Sequence, residues 1–254
     1  MLIAITRQVS PSINKCELTH LAHQPIDMDV VRAQHRQYEE ALKSLGVEVL
    51  SLPEEADLPD SVFVEDIAIV VDEAAVITRP GADSRKPETE SIAKALAPYR
   101  KLFYIQAPGT LDGGDVLTIH KDIYVGLSSR SNQAAIEQMR AFLAPFDYAV
   151  KGLKVTGCLH LKSAVTQVAA DTLLVNPAWV GKDNFPDMKF IEVEPSEAYA
   201  ANAVLVGKTV LYPSSYPKTR LRLEEAGIRL AIVDASELAK AEGALTCCSL
   251  IFKV

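Results

Sequence analysis

Pairs of short apolar runs joined by a polar turn recur along the chain. Each pair has the pattern of two β-strands that form a hairpin. The starts of the pairs lie about 40 to 50 residues apart, a spacing that indicates an internal repeat. The pairs cover residues 67–79, 115–128, 163–176 and 202–213. A fifth pair forms only if the two chain ends meet, with residues 247–254 beside residues 2–7.

Helical and single-strand segments lie between these pairs. Four helices are predicted, over residues 29–45, 88–96, 132–143 and 217–227. Ser131 is the expected N-cap of the third helix, and Asp234 and Glu237 have the spacing of a capping box for a short fifth helix. Single strands are predicted over residues 47–52, 101–106, 189–194 and 228–234.

The repeat predicts an α/β fold of five modules around a pseudo-fivefold axis. Pairing of the N- and C-terminal strands would close the ring and remove exposed sheet edges, as in other propeller-like folds. No segment rich in Pro, Gly or Ser divides the chain, so we expect a single domain over residues 1–254. An open α/β sheet is the alternative, but no glycine-rich phosphate loop follows the first strand.

Composition narrows the classes of function. Apolar residues make up 48% of the chain and charged residues 23%, the balance of a globular protein. The N-terminal segment does not resemble a signal peptide, and the four cysteines lack a disulfide spacing, so we expect a cytoplasmic protein with reduced thiols and no membrane partner. The net charge of −7 argues against nucleic-acid binding and is compatible with a small cationic substrate.

A vicinal cysteine pair, Cys247 and Cys248, stands at the start of the last apolar strand. Most cysteines are small buried apolar residues, but a thiol held where a loop meets a strand is positioned for nucleophilic chemistry. His160 is the candidate proton carrier. A lone histidine in a predicted strand is more often structural, and pairing with a cysteine at the same rim would reverse that interpretation.

Carboxylates supply a second group of candidates. Alternation places Asp60 and Asp66 on one side of a predicted extended segment that also contains Glu65. They are either solvated acids or a cluster that binds a cation with several N–H donors. Asp112 and Asp115 flank two glycines that permit close backbone approach, and turn formation is the simpler role for Asp115.

Two arginines complete the candidate site. Arg85 and Arg130 each follow a strand pair. Arginine binds carboxylates through paired N–H donors, so both side chains would recognise an acidic group if their loops reach one site. In a five-module ring the equivalent module ends meet at the axis, which would bring the carboxylates, the histidine and the cysteine together.

Five short motifs resemble, in order, those of the dimethylarginine dimethylaminohydrolases of the guanidino-modifying (pentein) superfamily. They are DSVFVED, ITRPGA, LDGGDV, LHLKS and LTCCS, and together they cover nearly the whole chain. The resemblance implies a single catalytic domain with the five-bladed propeller fold. It also implies a dimethylargininase that converts asymmetric dimethylarginine or monomethylarginine to citrulline and dimethylamine or methylamine. No metal or cofactor is expected, and a homodimer is compatible with the resemblance.

The resemblance further implies residue roles. Cys247 would be the nucleophile that forms a covalent thiouronium, and bound cationic substrate or protonated His160 would favour its thiolate. His160 would be the general acid and base, and Asp112, which is Glu in some members, would orient it and bind the guanidinium. The implied substrate-binding residues are Asp66 and Glu65 at the guanidinium, Arg85 and Arg130 at the carboxylate, and Leu18, Asp60 and the backbone near Ala241 at the α-amino end. The loop 8–27 would act as a lid.

Other functions stay open at this point. The same chemistry could act on hydroxyarginine or arginine, because one methyl group changes binding by only about 1–3 kcal/mol. Arginine deiminases share the chemistry but are usually longer chains. Non-enzymatic proteins of this fold bind ribosomal subunits, but they would not need Cys247, His160, Asp112 and Asp66 together.

Overall fold

The computed structural model describes residues 1–254, which form five three-stranded sheets. The strands are β1 (Leu2–Arg7), β2 (Val47–Leu52), β3 (Ala68–Val70), β4 (Ala74–Ile77), β5 (Lys101–Tyr104), β6 (Val116–Ile119), β7 (Asp122–Leu127), β8 (Ala149–Lys154), β9 (Val165–Ala169), β10 (Thr172–Val175), β11 (Lys189–Glu192), β12 (Val204–Val206), β13 (Thr209–Pro213), β14 (Arg229–Val233) and β15 (Leu250–Lys253). The helices are α1 (Met28–Ser44), α2 (Thr89–Leu96), α3 (Gln133–Leu143), α4 (Leu161–Ala164), α5 (Pro217–Glu225) and α6 (Ser236–Ala239).

Every sheet is one blade of an α/β propeller, and all five have the same topology. The inner strand runs antiparallel to the middle strand, and the outer strand runs parallel to it. The blades have the orders β15–β1–β2, β3–β4–β5, β6–β7–β8, β9–β10–β11 and β12–β13–β14. All predicted strand pairs are therefore confirmed, as is the five-module fold.

The two chain ends close the ring. Strand β15 pairs with β1, with Leu2 opposite Lys253 and Ile5 opposite Leu250. The N-terminal ammonium also donates to the carbonyl of Val254 at 2.8 Å. Closure therefore fixes the segment around Cys247 against the first blade.

Parallel pairing of the middle and outer strands requires a crossover in each blade. Helices α1, α2, α3 and α5 provide it in four blades, and the fourth blade uses a 3-10 turn at Lys182–Asn184. The side chain of Asp27 caps α1 by accepting from the amides of Asp29 and Val30. None of the helices is long and apolar enough to cross a membrane.

Three local predictions are wrong. Strand β8 was not predicted, although it completes the third blade. Asn132 rather than Ser131 caps α3, because its side chain accepts from the amide of Ala135. Asp234 and Glu237 do not form a capping box, since the Glu237 amide donates to the Gln34 side chain instead.

Short turns precede the inner strands at the propeller axis. They include the 3-10 turns Val64–Ile67, Gly113–Asp115 and Thr246–Cys248, and the one-turn helix α4. The first of these packs against the second and the third, and α4 packs against the second. The prediction of an extended segment through Asp66 is thus wrong, because the chain turns at the axis before β3 begins.

The core consists of five clusters of buried apolar side chains between the elements. The largest contains 20 residues, including Cys247 and Cys248, and joins α1 to the first and last blades. The cysteine pair is therefore held in rigid, well-packed surroundings.

Candidate active site

One cleft at the axis brings together side chains from four of the five blades. It has a volume of about 340 Å³ and is lined by Glu17, Asp60, Phe63, Asp66, Arg85, Arg130, Leu159, His160, Ala241, Glu242, Gly243 and Cys247. Seven of the ten predicted site residues are in this set; Asp112, Glu65 and Leu18 are not. The prediction that distant motifs converge at the axis therefore agrees with the geometry.

The His160 ring lies between two carboxylates. Its Nε2 is 3.1 Å from Oδ2 of Asp112, and its Nδ1 is 3.8 Å from Oδ1 of Asp66. His160 directly precedes α4 rather than lying in a strand, which corrects the sequence interpretation. The Asp112 contact is a hydrogen bond, whereas the Asp66 contact is longer, so Nδ1 is the nitrogen with free hydrogen-bonding capacity.

Asp112 supports the ring from behind. Its side chain has no exposed surface, and its Oδ1 accepts from the amide of Gly81 at 2.8 Å. Because both oxygens are engaged and neither faces the cleft, the geometry favours orientation of His160 over direct contact with a guanidinium.

The carboxylates make His160 unusually basic. Burial acts to lower the pKa of His160, but the charge of Asp66 and the hydrogen bond to Asp112 outweigh it and raise the pKa to about 9. The ring is consequently protonated at neutral pH, ready to act as an acid.

This pKa predicts a pH-dependent stability. Because the folded pKa of about 9 exceeds the ordinary 6.5, the stabilisation is complete below about 6.5 and is lost as the pH rises through 9. We expect the melting temperature to fall between pH 7.5 and 8.5, a window above the pKa of Glu88, which burial raises to about 7, and below the ordinary thiol pKa of 9.0, above which the cysteines of the unfolded chain ionise. Thermal denaturation should show a much smaller fall for His160→Gln; an equal fall in both proteins would contradict the assignment.

Asp66 is held as an anion at the centre of the cleft. Burial acts to raise its pKa, but the charges of His160 and Arg85 outweigh this effect, so the pKa is lowered. Its Oδ2 lies 2.5 Å from Nη1 of Arg85, and its Oδ1 accepts from the amide of Gly114 at 3.0 Å. A carboxylate fixed in this way is suited to binding a cationic group.

Arg85 is more deeply engaged than the sequence indicated. Besides Asp66, its guanidinium binds both carboxylate oxygens of Glu88 at 3.1 and 2.8 Å. It also donates to the carbonyls of Asp60 and Phe63. Arg85 lines the cleft, so its predicted role at a substrate carboxylate stays a prediction, while its observed role is to hold the acidic turn.

The Cys247 thiol faces carboxylates that disfavour its thiolate form. Burial raises its pKa, and the carboxylates of Asp66 and Glu65 raise it further, well above the ordinary value. A thiolate here therefore needs a positive charge beside it, and a bound cation would supply that charge.

Two adjacent glycines let these groups approach each other. A Cβ on Gly113 would lie 1.9 Å from the carbonyl oxygen of Glu65. A Cβ on Gly114 would lie 2.6 Å from Nδ1 of His160 and 2.8 Å from Oδ1 of Asp66. The expectation that these glycines permit close approach agrees with the geometry, because a side chain at Gly113 would displace the backbone of Glu65 and one at Gly114 would displace the imidazole and the carboxylate.

Glu65 faces away from the cleft, unlike Asp66. Its Oε1 lies 2.6 Å from Nζ of Lys162, and it lines a separate pocket on the axis, which all five inner strands surround. Successive residues of a 3-10 turn point about 120° apart, so Asp66 and Glu65 can serve different neighbours. The predicted contact of Glu65 with a guanidinium stays a prediction.

The loop 8–27 covers the cleft through contacts on both sides of Leu18. The Glu17 amide donates to Oδ2 of Asp60 at 3.1 Å, and Arg130 donates to the hydroxyl of Thr19 at 3.1 Å. Leu18 itself is half-buried between them. Arg130 also approaches Asp112, with Nη1 3.9 Å from Oδ2.

Glu242, which was not predicted, holds this loop over the cleft. Its Oε1 accepts from the backbone amides of Thr19, His20 and Leu21 at 2.5 to 3.0 Å. Its own backbone has φ of 55°, an uncommon value for a non-glycine residue. The strained backbone aims the carboxylate at three consecutive donors.

We expect Glu242→Ala to loosen the loop. Loss of three charge-assisted hydrogen bonds should raise KM about fivefold or more, with kcat changed less, because the loop must be ordered anew in each encounter. Trypsin should also cut faster after Lys15, which lies in the same loop. The exposed Glu225→Ala is the matched control; wild-type KM and cleavage rate in Glu242→Ala would refute a latch.

Asp115 and Ser131 also do more than the sequence indicated. Asp115 accepts from the hydroxyls of Ser128 and Ser131 and from the amide of Leu161 at 2.6 to 3.0 Å. Ser131 in turn accepts from the amide of Asp112 at 3.1 Å. Asp115 therefore ties the segment of His160 to that of Asp112, and its place in LDGGDV was the available signal.

Asp66, Asp112 and His160 also have the geometry of a potential metal site. Their ligand atoms lie within 4.8 Å of one another. Each carboxylate already accepts from protein donors: Gly114 and Arg85 for Asp66, and Gly81 and His160 for Asp112. The expectation that no metal is required stays a prediction.

Comparisons with known proteins bear on this cleft. A family model described as "N,N dimethylarginine dimethylhydrolase, eukaryotic" matches residues 7–183. The N(G),N(G)-dimethylarginine dimethylaminohydrolase of Streptomyces coelicolor is 39% identical over 249 residues, 97% of this chain and 95% of the relative.

Two solved structures have nearly the same fold. One is a cysteine-to-serine variant of the Pseudomonas aeruginosa enzyme complexed with citrulline; it is 35% identical, with a TM-score of 0.94 over 98% of each chain. The other is a histidine-to-glycine variant of a dimethylarginine dimethylaminohydrolase as an adduct with S-methyl-L-thiocitrulline. It is 35% identical, with a TM-score of 0.92 over 98% of this chain and 99% of that chain.

Proposed function

The chain belongs to the dimethylarginine dimethylaminohydrolase family, and we propose that Cys247, His160 and Asp112 carry out its reaction. It is a hydrolase of N-omega-methylated arginines, producing citrulline and dimethylamine or methylamine. The observation that carries the residue assignment is the single cleft in which Cys247, His160 and Asp66 meet.

Substrate binding begins with charge. The guanidinium is planar and cationic, and Asp66 is the anion at the centre of the cleft. At the other end of the substrate, Arg85 and Arg130 bind the carboxylate, and Asp60, Leu18 and the backbone near Ala241 contact the α-amino end. The lining of the cleft by Asp60, Arg85, Arg130 and Ala241 supports these roles.

The cationic substrate also activates the nucleophile. Its charge offsets the field of Asp66 and Glu65, so the Cys247 thiol releases its proton to solvent when substrate binds. Sulfur then attacks the guanidinium carbon and forms a neutral tetrahedral adduct.

His160 completes two proton transfers. Its Nδ1 gives a proton to the departing nitrogen, the C–N bond breaks, and dimethylamine or methylamine leaves a cationic thiouronium. Neutral His160 then takes a proton from water, which attacks the same carbon. Collapse of the second adduct breaks the C–S bond, its hydroxyl proton passes to the departing sulfur, and citrulline and the Cys247 thiol are released with His160 protonated again. The cysteine-to-serine variant with bound citrulline and the histidine-to-glycine adduct of the two relatives support this sequence.

We also propose that residues 1–254 act as one catalytic domain, because side chains from four of the five blades line the same cleft. No metal or cofactor enters any step. The homodimer and the cytoplasmic location remain predictions, and light scattering of the purified protein tests the first of them.

Citrulline release from asymmetric dimethylarginine by the purified protein tests the proposal. Monomethylarginine, hydroxyarginine and arginine are assayed in parallel, with and without a chelator. We expect turnover of the methylated substrates that the chelator does not reduce. Turnover of only arginine or hydroxyarginine would show a different substrate specificity and leave the proposed residue roles intact. No turnover of any of the four compounds would refute the proposed chemistry.

A further inference from the structure

The pseudo-fivefold arrangement points to a residue with no role so far. The segment before each inner strand lies at the axis, and four of these segments carry a chemical group. They contribute Asp66 before β3, Asp112 before β6, His160 before β9 and Cys247 before β15. The fifth segment, before β12, contributes Asn202, two residues ahead of the strand.

Asn202 is buried and fully bonded. Only 4% of its surface is exposed. Its Oδ1 accepts from the amide of Thr246 at 3.1 Å, and its Nδ2 donates to Oγ1 of Thr246 at 3.0 Å. The same Nδ2 donates to the carbonyl of Lys162 at 3.2 Å. One side chain thus ties the residue before Cys247 to the segment that follows His160.

These contacts also orient the Thr246 hydroxyl. Because its oxygen accepts from Asn202, its own proton is directed away from Asn202, and the hydroxyl acts to lower the pKa of Glu65 as well as that of Cys247. The Thr246 hydroxyl and the backbone at Ala244 are the groups that lower the pKa of Cys247 against the effects of burial and the carboxylates.

We propose that Asn202 is a positioning residue for the nucleophile: it ties the turn Thr246–Cys248, and with it the Cys247 thiol, to the segment that follows His160. The inference rests on the proposed function of Cys247 and adds a residue to it. No substrate contact is assigned to Asn202.

The charged and titratable groups that face Cys247 come from several elements, and none of them touches the Asn202 amide. They are Asp66 and Glu65 from the acidic turn, His160 beside α4, Cys248 on its own turn, Tyr38 of α1, and Asp60, Glu17, Arg85, Arg130 and Glu242 around the cleft. A change in thiol reactivity on substitution of Asn202 therefore comes through its two hydrogen-bonded partners, Thr246 and the carbonyl of Lys162.

Alkylation of Cys247 by iodoacetamide, located by mass spectrometry, tests the proposal without requiring turnover. At a fixed pH below the thiol pKa, the rate follows the thiolate fraction, so loss of one hydrogen bond should slow it by about tenfold. We expect this fall in Asn202→Ala and in Thr246→Val, with no further fall in the double variant, because both remove the same hydrogen bond between Asn202 and Thr246.

Asn176→Ala is the matched control. Asn176 is a buried asparagine with two hydrogen bonds, to Ala198 and Ala178, and it does not line the cleft. It should lose stability while its alkylation rate stays within about twofold of wild type. If Asn202→Ala does not fold, Asn202→Asp keeps the shape but draws the Thr246 proton toward itself, and it should show the same fall.

Two results would overturn the inference. One is an unchanged alkylation rate in the Asn202 variants, and the other is full additivity of the Asn202 and Thr246 substitutions. In parallel, the acid limb of the pH profile of kcat/KM for dimethylarginine should shift to higher pH in Asn202→Ala. Failure of wild type to hydrolyse dimethylarginine would refute the proposed function, whereas the alkylation result would still decide the role of Asn202.

Discussion

Replacing Cys247 by serine should abolish hydrolysis of dimethylarginine. The serine hydroxyl is far less acidic than a thiol, and Asp66 and Glu65 oppose any anion at this position. A bound guanidinium can favour a thiolate but cannot generate an alkoxide at neutral pH. We therefore expect kcat/KM to fall by about 10³-fold or more. Citrulline release measures the loss.

Binding should survive the same substitution. Serine differs from cysteine by one atom, and the side chains proposed to hold the substrate are unchanged. Calorimetric titration with dimethylarginine should give a dissociation constant within about threefold of the wild-type KM. Full retention of turnover would exclude Cys247 as the nucleophile.

The neighbouring cysteine is the matched control. Cys248 directs its thiol to the carbonyl of Ala244 at 3.4 Å and packs in the largest apolar cluster. Cys248→Ala should cost about 1 kcal/mol of stability through lost packing and leave turnover nearly unchanged. Loss of activity in a stably folded Cys248→Ala would contradict the assignment of the two thiols.

The strand pairs could be predicted because each buries both of its runs. Five of the six residues of β1 are buried, and all five residues of β13 are buried. The missed strand β8 is an outer strand in which only Val150 and Leu153 are buried. Its Lys and Gly residues face solvent, so no apolar alternation marks it, and pairing with β7 alone makes it a strand.

The site could be predicted as a set of residues but not as a set of contacts. Motif order identified Cys247 and His160, whereas the turn through Asp66 depends on packing against other turns at the axis. That packing forms only once the ring is closed. The local alternation of residues contains no information about it, and therefore predicted an extended segment. The sequence showed which side chains are present, and the propeller determines which atoms face each other.

The contacts of Glu242 and Asn202 could not be predicted from the sequence either. Glu242 binds amides more than 200 residues away, and Asn202 bonds to Thr246, 44 residues along the chain. Neither residue has a distinctive local pattern. Their roles follow from pairing of the chain ends, which places the last segment beside the first loop and the fifth blade.

Replacing His160 by glycine should separate the two proton transfers. An amine leaves the tetrahedral adduct only after protonation, whereas a thiolate leaves without a proton. We expect His160→Gly to lose hydrolysis of dimethylarginine by about 10³-fold. The same variant should still react with S-methyl-L-thiocitrulline, which expels methanethiolate. The resulting thiouronium should persist, because no base remains to activate water.

Intact-protein mass spectrometry distinguishes these steps. His160→Gly should gain the mass of the analogue less methanethiol and keep it over hours, while the wild-type protein releases citrulline. His35→Gln is the control, since His35 is an equally buried histidine that bonds to the carbonyl of Arg7 outside the cleft; it should behave as wild type. Release of citrulline by His160→Gly at the wild-type rate would show that another group activates water. Absence of any adduct would show that His160 is needed already for attack, because the protonated ring, with its pKa raised to about 9, then supplies charge that the cationic analogue alone cannot.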